Sequence, residues 1–389
     1  MPFYREHWDA AGVTPEAIRS LDDLDRLPVV SKREMQAAGP EAITSTAFDP
    51  TSLVSARTSG SSGRPFTVRF DPRWLSVRRA MFARALMAAG YRPGRRLLML
   101  TGGDKRQPPA WYRWRYASYK EEPARLLDEL ERFRPFALYG WVTPLRELAR
   151  HALETGRPPY HRPSVIVTTA ETLDAATRRL LHETFGARVF ELYGLTEMGT
   201  AAAPCPSTST STGVFHLAED VCLTEFRELP EGTAEGGATP LVMTNLELYA
   251  TPFIRFDTGD LGVPRSASGG ERCSCGRSLA RIERIEGRLV DSIRLGSGRM
   301  ISPFQLTIEL ERIPGIDRYQ VIQEDTDRFT VRYEGSEKGA DEREQAARRA
   351  LAAVVGPRCE IRTERRPNLD PPPGQKFRVV ESRLRGESA

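Results

Sequence analysis

Lysine is scarce in this chain: only five of its 56 lysine and arginine residues are lysine, at positions 32, 105, 120, 338 and 376. Long apolar runs are missing as well. No stretch approaches the roughly 20 apolar residues that a membrane helix needs, and the opening residues Met1 to Trp8 hold no apolar block of the kind a secretory leader carries. The expectation is a cytoplasmic protein with no membrane partner. Five cysteines in 389 residues are too few for a disulfide framework. The net charge of +4 comes from dispersed arginines, so a nucleic-acid partner is not expected, whereas phosphorylated small molecules are compatible. No internal repeat is visible, and the one low-complexity patch, Ser207 to Thr212, reads as a surface loop.

What remains is an ordinary globular composition, 40% hydrophobic and 28% charged, with length for two or three domains. From Trp74 to Glu191, strand-like and helix-like segments alternate with short connections. Leu97-Leu98-Met99-Leu100 and Val165 to Thr169 read as buried strands; Ala124 to Phe133, Thr143 to Glu154 and Ala175 to Phe185 read as helices. That order predicts an α/β fold with a mostly parallel sheet covered by helices. After about Gly213 strand-like pieces dominate, and a strand from Thr251 to Phe256 is expected to end at a carboxylate-bearing turn. Beyond Gly287 the pattern predicts a small α+β unit of about 100 residues.

Four segments could carry chemistry. Thr58-Ser59-Gly60-Ser61-Ser62-Gly63-Arg64-Pro65 lies between two strand-like pieces. Its glycines and hydroxyls could surround phosphate oxygens, although a plain polar turn has the same look. No Gly-Lys-Ser/Thr follows and no helix opens there, which excludes a Walker loop. Tyr193-Gly194-Leu195-Thr196-Glu197 follows a parallel strand, the end at which open α/β sheets bind ligands. Asp257 and Asp260 flank Thr258-Gly259, which could bind ribose hydroxyls or be an Asx-type turn. Lys376, on a Pro/Gly-rich loop, could be a mobile cation or a surface residue.

Singly these signals are weak; their order is not. Phe3-Tyr4-Arg5, Leu27-Pro28, Thr58 to Pro65, Thr169-Ala170-Glu171, Tyr193 to Glu197, Ile254 to Asp260, Ile285-Glu286-Gly287-Arg288 and Lys376 to Val379 resemble, in order, the phenylacetate–coenzyme A ligase branch of the adenylate-forming enzymes. The resemblance runs almost the whole chain. It implies a large N-terminal unit, residues 1–288 with a β-rich part at about 213–286, and a small mobile C-terminal unit, 289–389. It implies ATP, Mg²⁺ and coenzyme A as cofactors, and activation of a carboxylic acid as an acyl-adenylate.

By resemblance, Thr58 to Arg64 would hold the β- and γ-phosphates, and Glu171 and Tyr193 would lie near the adenine and acyl pockets. Thr196 would contact the α-phosphate and Glu197 would hold Mg²⁺. Asp260 would bind the ribose with Arg288 assisting, and Lys376 would bridge the substrate carboxylate and the α-phosphate. Tyr139-Gly140-Trp141 and the small residue Ala201 would line the acyl site and suit an aryl or arylacetic acid. Cys205, His216, Cys273 and Cys275 resemble a structural Zn²⁺ set in some members, with free loop cysteines as the bland alternative.

Two departures bear on the second half-reaction. The N-terminal region looks shorter than in many relatives, and Val290 stands at the usual hinge position of a Gly-Arg-X-Asp-Asp run. Valine is stiff at χ1. An amine or a carrier-protein thiol is therefore the alternative acceptor to coenzyme A. A catalytically silent homologue is a third reading, and a homodimer is compatible.

Overall fold

A computed structural model describes residues 1–58, 66–102, 107–156, 159–207, 214–228, 237–265, 272–288, 292–297, 299–307, 309–371 and 377–384. Thr58 is described in its backbone, as is Arg288. Ser59 to Arg64, Val290 and Lys376 lie outside the described residues.

The alternation between Trp74 and Glu191 folds into a five-stranded parallel sheet. Its order is Trp114–Ser118, Leu97–Thr101, Ala137–Trp141, Val165–Thr169, Arg188–Glu191. Both faces are covered, which is why the strands read as continuous apolar runs. Leu98, Leu100, Leu138 and Ile166 face one core with the helices Pro123–Phe133, Val142–Glu154 and Ala175–Phe185. Leu97, Met99, Val165 and Val167 face the other, against Ala85 and Leu86 of the helix Pro72–Ala88. That long helix starts where Asp71 caps it, its side chain accepting from the Trp74 N–H at 2.8 Å.

A second, largely antiparallel sheet follows. Its path runs Cys222–Phe226, Thr239–Asn245, Phe256–Pro264, Arg281–Arg288, Phe215–Leu217, Gly199–Pro204, Tyr193–Leu195. The short strand Val30–Ser31 joins it in parallel, pairing with Phe256 and Asp257. The strand expected at Thr251 to Phe256 is displaced: the strand begins at Phe256, so Asp257 and Asp260 lie within it instead of in a turn beyond it. Arg255 explains the shift. Its φ of 47° breaks the extended run, and its guanidinium is held by the Leu27 carbonyl at 2.6 Å and by Asp25 and Glu225, each at 2.8 Å. The strands Val54–Thr58 and Phe66–Phe70 form the expected hairpin around the Ser/Gly segment.

Past residue 291 a four-stranded sheet is ordered Glu360–Arg365, Arg328–Glu334, Arg318–Gln323, Val380–Ser382, with the helix Ala340–Val355 against it. It has its own core, including Ile293, Leu306, Val321, Val331 and Leu351.

Candidate active site

The chain passes from one sheet to the other at Leu192. Its N–H donates to the Thr168 carbonyl at 2.9 Å, closing the parallel sheet, and Tyr193–Leu195 opens the edge of the antiparallel one. Gly194 is required at this crossing, because a Cβ there would fall 2.5 Å from the Gly199 carbonyl oxygen. Tyr193 donates its hydroxyl to Asp260 at 2.7 Å. Burial raises the Tyr193 phenol well above its ordinary value and the Asp260 charge adds to the rise, so the phenol stays a donor. Asp260 pairs in register with Arg288, whose backbone runs beside it. Gly259 has φ of 71°, and its N–H donates to Asp257 at 2.8 Å, which tightens the strand just before Asp260.

Two residues after half-buried Leu195, Glu197 is buried at 4% exposure. Its main-chain carbonyl accepts from the Asn245 amide at 2.9 Å, and its carboxylate accepts from Lys32 Nζ at 3.1 Å. Lys32 begins the helix Lys32–Ala42. Ser31 caps that helix in a reciprocal box with Glu34: Ser31 Oγ accepts from the Glu34 N–H at 3.2 Å and Glu34 accepts from the Ser31 N–H at 2.7 Å. The Lys32 ammonium also lies 5.3 Å from the centre of the Phe66 ring, at the exit of the Ser/Gly segment. Sequence reading gave Lys32 no role; the rarity of lysine was the one available signal.

Glu171 follows Ala170, whose φ of 71° is unusual for a residue with a side chain and marks a constrained turn. Its carboxylate accepts from the Thr143 N–H at 2.7 Å, from the Thr143 hydroxyl at 3.2 Å, and from the Phe377 N–H at 3.3 Å. It thus joins the start of the helix Val142–Glu154 to the residue after Lys376. Close by is a charge cluster that sequence reading missed. Arg146, 2% exposed, donates to Glu334 at 2.5 Å and to Asp370 at 3.3 Å. Arg150 reaches Asp370 at 3.4 Å, and Arg318 pairs with Asp370 and lies over the Phe377 ring at 3.6 Å. Asp370 and Phe377 flank the Lys376 segment.

Tyr139 and Trp141 share one face of their strand by its two-residue period. Tyr139 meets Phe82 edge-on at 5.0 Å, and Trp141 lies against Tyr119 at 5.0 Å. Gly140 faces the opposite way, where a Cβ would come within 3.1 Å of Leu100. Ala201, 1% exposed, is packed in the core of the antiparallel sheet with Met198 and Phe215.

Cys205, His216, Cys273 and Cys275 converge, with one ligand atom from each lying within 4.8 Å of the others. The Cys205 and Cys273 sulfurs are 3.5 Å apart, and Cys275 Sγ is 3.3 Å from His216 Nε2. A tetrahedral zinc–thiolate shell has edges of about 3.8 Å, so the donor set fits. His216 Nδ1 donates to the Leu279 carbonyl at 3.1 Å, which turns the Nε2 lone pair toward the cluster. Burial alone would raise the Cys273 thiol, but hydrogen bonds from the Cys275 main chain and the neighbouring thiols bring it down to about 5.

No family model matches the sequence. The phenylacetate–coenzyme A ligase of Thermus thermophilus is 29% identical over 337 residues, covering 83% of this chain and 74% of that protein. The phenylacetate–coenzyme A ligase of Escherichia coli is 28% identical over 333 residues, covering 80% of this chain and 71% of that protein. This chain is a homologue of the phenylacetate–coenzyme A ligases, with the fold of the adenylate-forming enzymes. Among solved structures, 2-hydroxyisobutyryl-CoA ligase in its postadenylation state superposes with a TM-score of 0.77 at 23% identity, over 95% of this chain and 83% of that one. The same enzyme in its thioesterification state superposes at 0.62. Among the described residues, no helix is long and apolar enough to cross a membrane.

Proposed function

We propose that this protein joins a carboxylic acid to ATP as an acyl-adenylate, releases pyrophosphate, and passes the acyl group to coenzyme A. The observation that carries this reading is the meeting of two pairs, Tyr193 with Asp260 and Glu197 with Lys32, where the parallel strands end. Strand ends of that kind are ligand sites in open α/β sheets, and the chain's homologues are coenzyme A ligases.

On this reading Asp260 holds the ribose hydroxyls, with Arg288 alongside, and the Thr58 to Arg64 segment holds the β- and γ-phosphates. As the substrate carboxylate attacks the α-phosphorus, the new P–O bond forms while the bond to the pyrophosphate oxygen breaks. Thr196 donates to an α-phosphate oxygen, and Lys376 stands between the two reacting anions, where charge builds. The Glu197 carboxylate is a hard oxygen donor, the ligand type that suits Mg²⁺, and would hold the ion once Lys32 gives way. When bound, Mg²⁺ supplies charge neutralisation at the phosphates. Tyr139, edge-on to Phe82, and Trp141, tilted against Tyr119, favour a flat aryl or arylacetic acid. Glu171 sits at the seam between residues 1–288, the adenylating unit, whose antiparallel sheet opens at Tyr193 ahead of the expected 213–286, and residues 289–389, the small unit that changes pose between half-reactions. The higher TM-score to a postadenylation state than to a thioesterification state supports the adenylating pose here. Cys205, His216, Cys273 and Cys275 would hold a structural Zn²⁺, which would tie two hairpins of the antiparallel sheet.

The test is ATP–pyrophosphate exchange with a panel of aryl, arylacetic and short aliphatic acids, followed by thioester formation with coenzyme A. Acid-dependent exchange and a thioester product are expected. No exchange with any acid would overturn the reading. Exchange without a thioester would move the acceptor to an amine or a carrier-protein thiol.

A further inference from the structure

We propose that Lys32 is a nucleotide-responsive cation of the adenylating site: it holds the Glu197 carboxylate before the substrate arrives, and moves to a phosphate oxygen when a divalent cation takes that carboxylate. The proposal rests on the reading of Glu197 as the magnesium ligand.

Three observations carry it. Glu197 is 4% exposed, and a bare carboxylate buried to that extent is costly without a positive partner. Lys32 Nζ supplies that partner at 3.1 Å, from 165 positions away in the chain. The side chain of Lys32 is 34% exposed and that of Glu197 5%, so the lysine is the more accessible member of the pair. The same ammonium lies 5.3 Å over Phe66, the first described residue after the Ser/Gly segment. The ammonium thus contacts both the Glu197 carboxylate and the ring of Phe66, which follows the Ser/Gly segment in the sequence. Its backbone is fixed: Ser31 pairs with Asp257 and shares the capping box with Glu34. Only the four-carbon stem needs to move.

The residue type fits the task. Only five of the 56 cationic side chains are lysine, yet lysine stands here. An ammonium is a compact charge with three donors on a flexible stem and can exchange one oxygen partner for another, whereas a guanidinium fork is built to lock one carboxylate. The arrangement couples the two ligands. A dication arriving alone must displace an ammonium whose acidic partner among the described residues is Glu197 itself. A dication arriving with a triphosphate brings the ammonium its new partner. Metal alone should therefore bind poorly, and metal with nucleotide well.

The test measures Mn²⁺ binding by paramagnetic resonance without nucleotide, and binding of α,β-methylene-ATP with Mg²⁺ by calorimetry. Lys32→Met is expected to bind Mn²⁺ alone about tenfold more tightly than the native protein and the magnesium–nucleotide complex about tenfold more weakly, two changes of opposite sign. The tightening should vanish in Lys32→Met/Glu197→Gln, and Lys32→Arg should restore exclusion of Mn²⁺ alone. An unfolding midpoint close to native would show that the variant is folded. Unchanged Mn²⁺ affinity in Lys32→Met, with Glu197→Gln still abolishing the magnesium dependence of nucleotide binding, would overturn the role of Lys32 alone. Full magnesium dependence surviving in Glu197→Gln would overturn the underlying reading of Glu197 and the proposal with it.

Discussion

Replacing Arg146 by methionine should loosen the contact between the two units while leaving each unit folded. Arg146 projects from the helix Val142–Glu154, and its two carboxylate partners, Glu334 and Asp370, belong to the C-terminal unit. All three are largely buried, with side-chain exposures of 2%, 6% and 11%. Removing one partner of a buried ion pair costs about 3–5 kcal/mol, because a charge is left without compensation. Here the loss is partial. Arg150 stays 3.7 Å from Glu334 and 3.4 Å from Asp370, Arg318 stays on Asp370, and the Leu369 N–H still donates to Glu334 at 2.6 Å. A cost of about 2 kcal/mol is reasonable, equivalent to about a thirtyfold shift toward an undocked C-terminal unit. Hydrogen exchange should report it as faster exchange at the start of the helix Val142–Glu154 and in Arg318–Gln323, with little change in the parallel-sheet core. Pyrophosphate exchange should fall more than thioester formation from a supplied acyl-adenylate. In a double-mutant cycle with Glu334→Gln, the coupling should exceed about 1 kcal/mol. A uniform drop in unfolding midpoint with unchanged exchange at the seam would refute the reasoning, since it would mean that the cluster supports the fold and not the docking.

Three further outcomes follow from the geometry. Burial raises the Glu191 carboxyl from 4.5 to about 7, with Arg178 offsetting part of the rise. Between those values the folded protein keeps a proton that the unfolded chain releases, so stability falls as pH rises through the window. Glu191→Gln should therefore match the native protein near pH 5 and exceed it at pH 8 by up to about 3 kcal/mol in urea unfolding; an equal difference at both pH values would count against the assignment. Cys273→Ser should remove zinc from the purified protein and lower the unfolding midpoint by about 4 °C or more, as should a strong chelator acting on the native protein; native protein that holds well under one zinc per chain would rule the site out. Tyr193→Phe takes a donor from buried Asp260 and should weaken nucleotide binding about tenfold, with a smaller effect on turnover; unchanged affinity would dissociate Asp260 from the nucleotide.

The parts legible in the sequence were those with a local period or a local motif. Leu97 to Leu100 and Val165 to Thr169 read as buried strands because both their faces are covered. Cys273-Ser274-Cys275 marked one half of a cluster whose other half comes from Cys205 and His216. What stayed hidden depends on partners far along the chain. Arg146 carries no local signal on its helix, since nothing nearby marks Glu334, 188 positions on, as its partner. Lys32 and Glu197 have the same separation problem. Arg255 misled differently: Thr251 to Phe256 has strand-like residues, but the guanidinium's bonds to Leu27, Asp25 and Glu225 favour a left-handed backbone that ends the run. Tertiary hydrogen bonds outweighed intrinsic propensity there.

On the proposed function, the strand Ala137–Trp141 has a consequence for the choice of positions at which to vary the acid accepted. Adjacent positions answer to different demands, because successive side chains leave the sheet on opposite sides. Leu138 and Gly140 face the helices, and a Cβ at Gly140 would press on Leu100 at 3.1 Å and Leu145 at 3.3 Å. Tyr139 faces the other way, edge-on to Phe82, while Trp141 at the strand's end lies against Tyr119, which packs on the helix-side core. A combinatorial library that randomises 139, 141 and 82 together, with 119, 138 and 140 held constant, varies the aromatic side chains while sparing the helix-side packing.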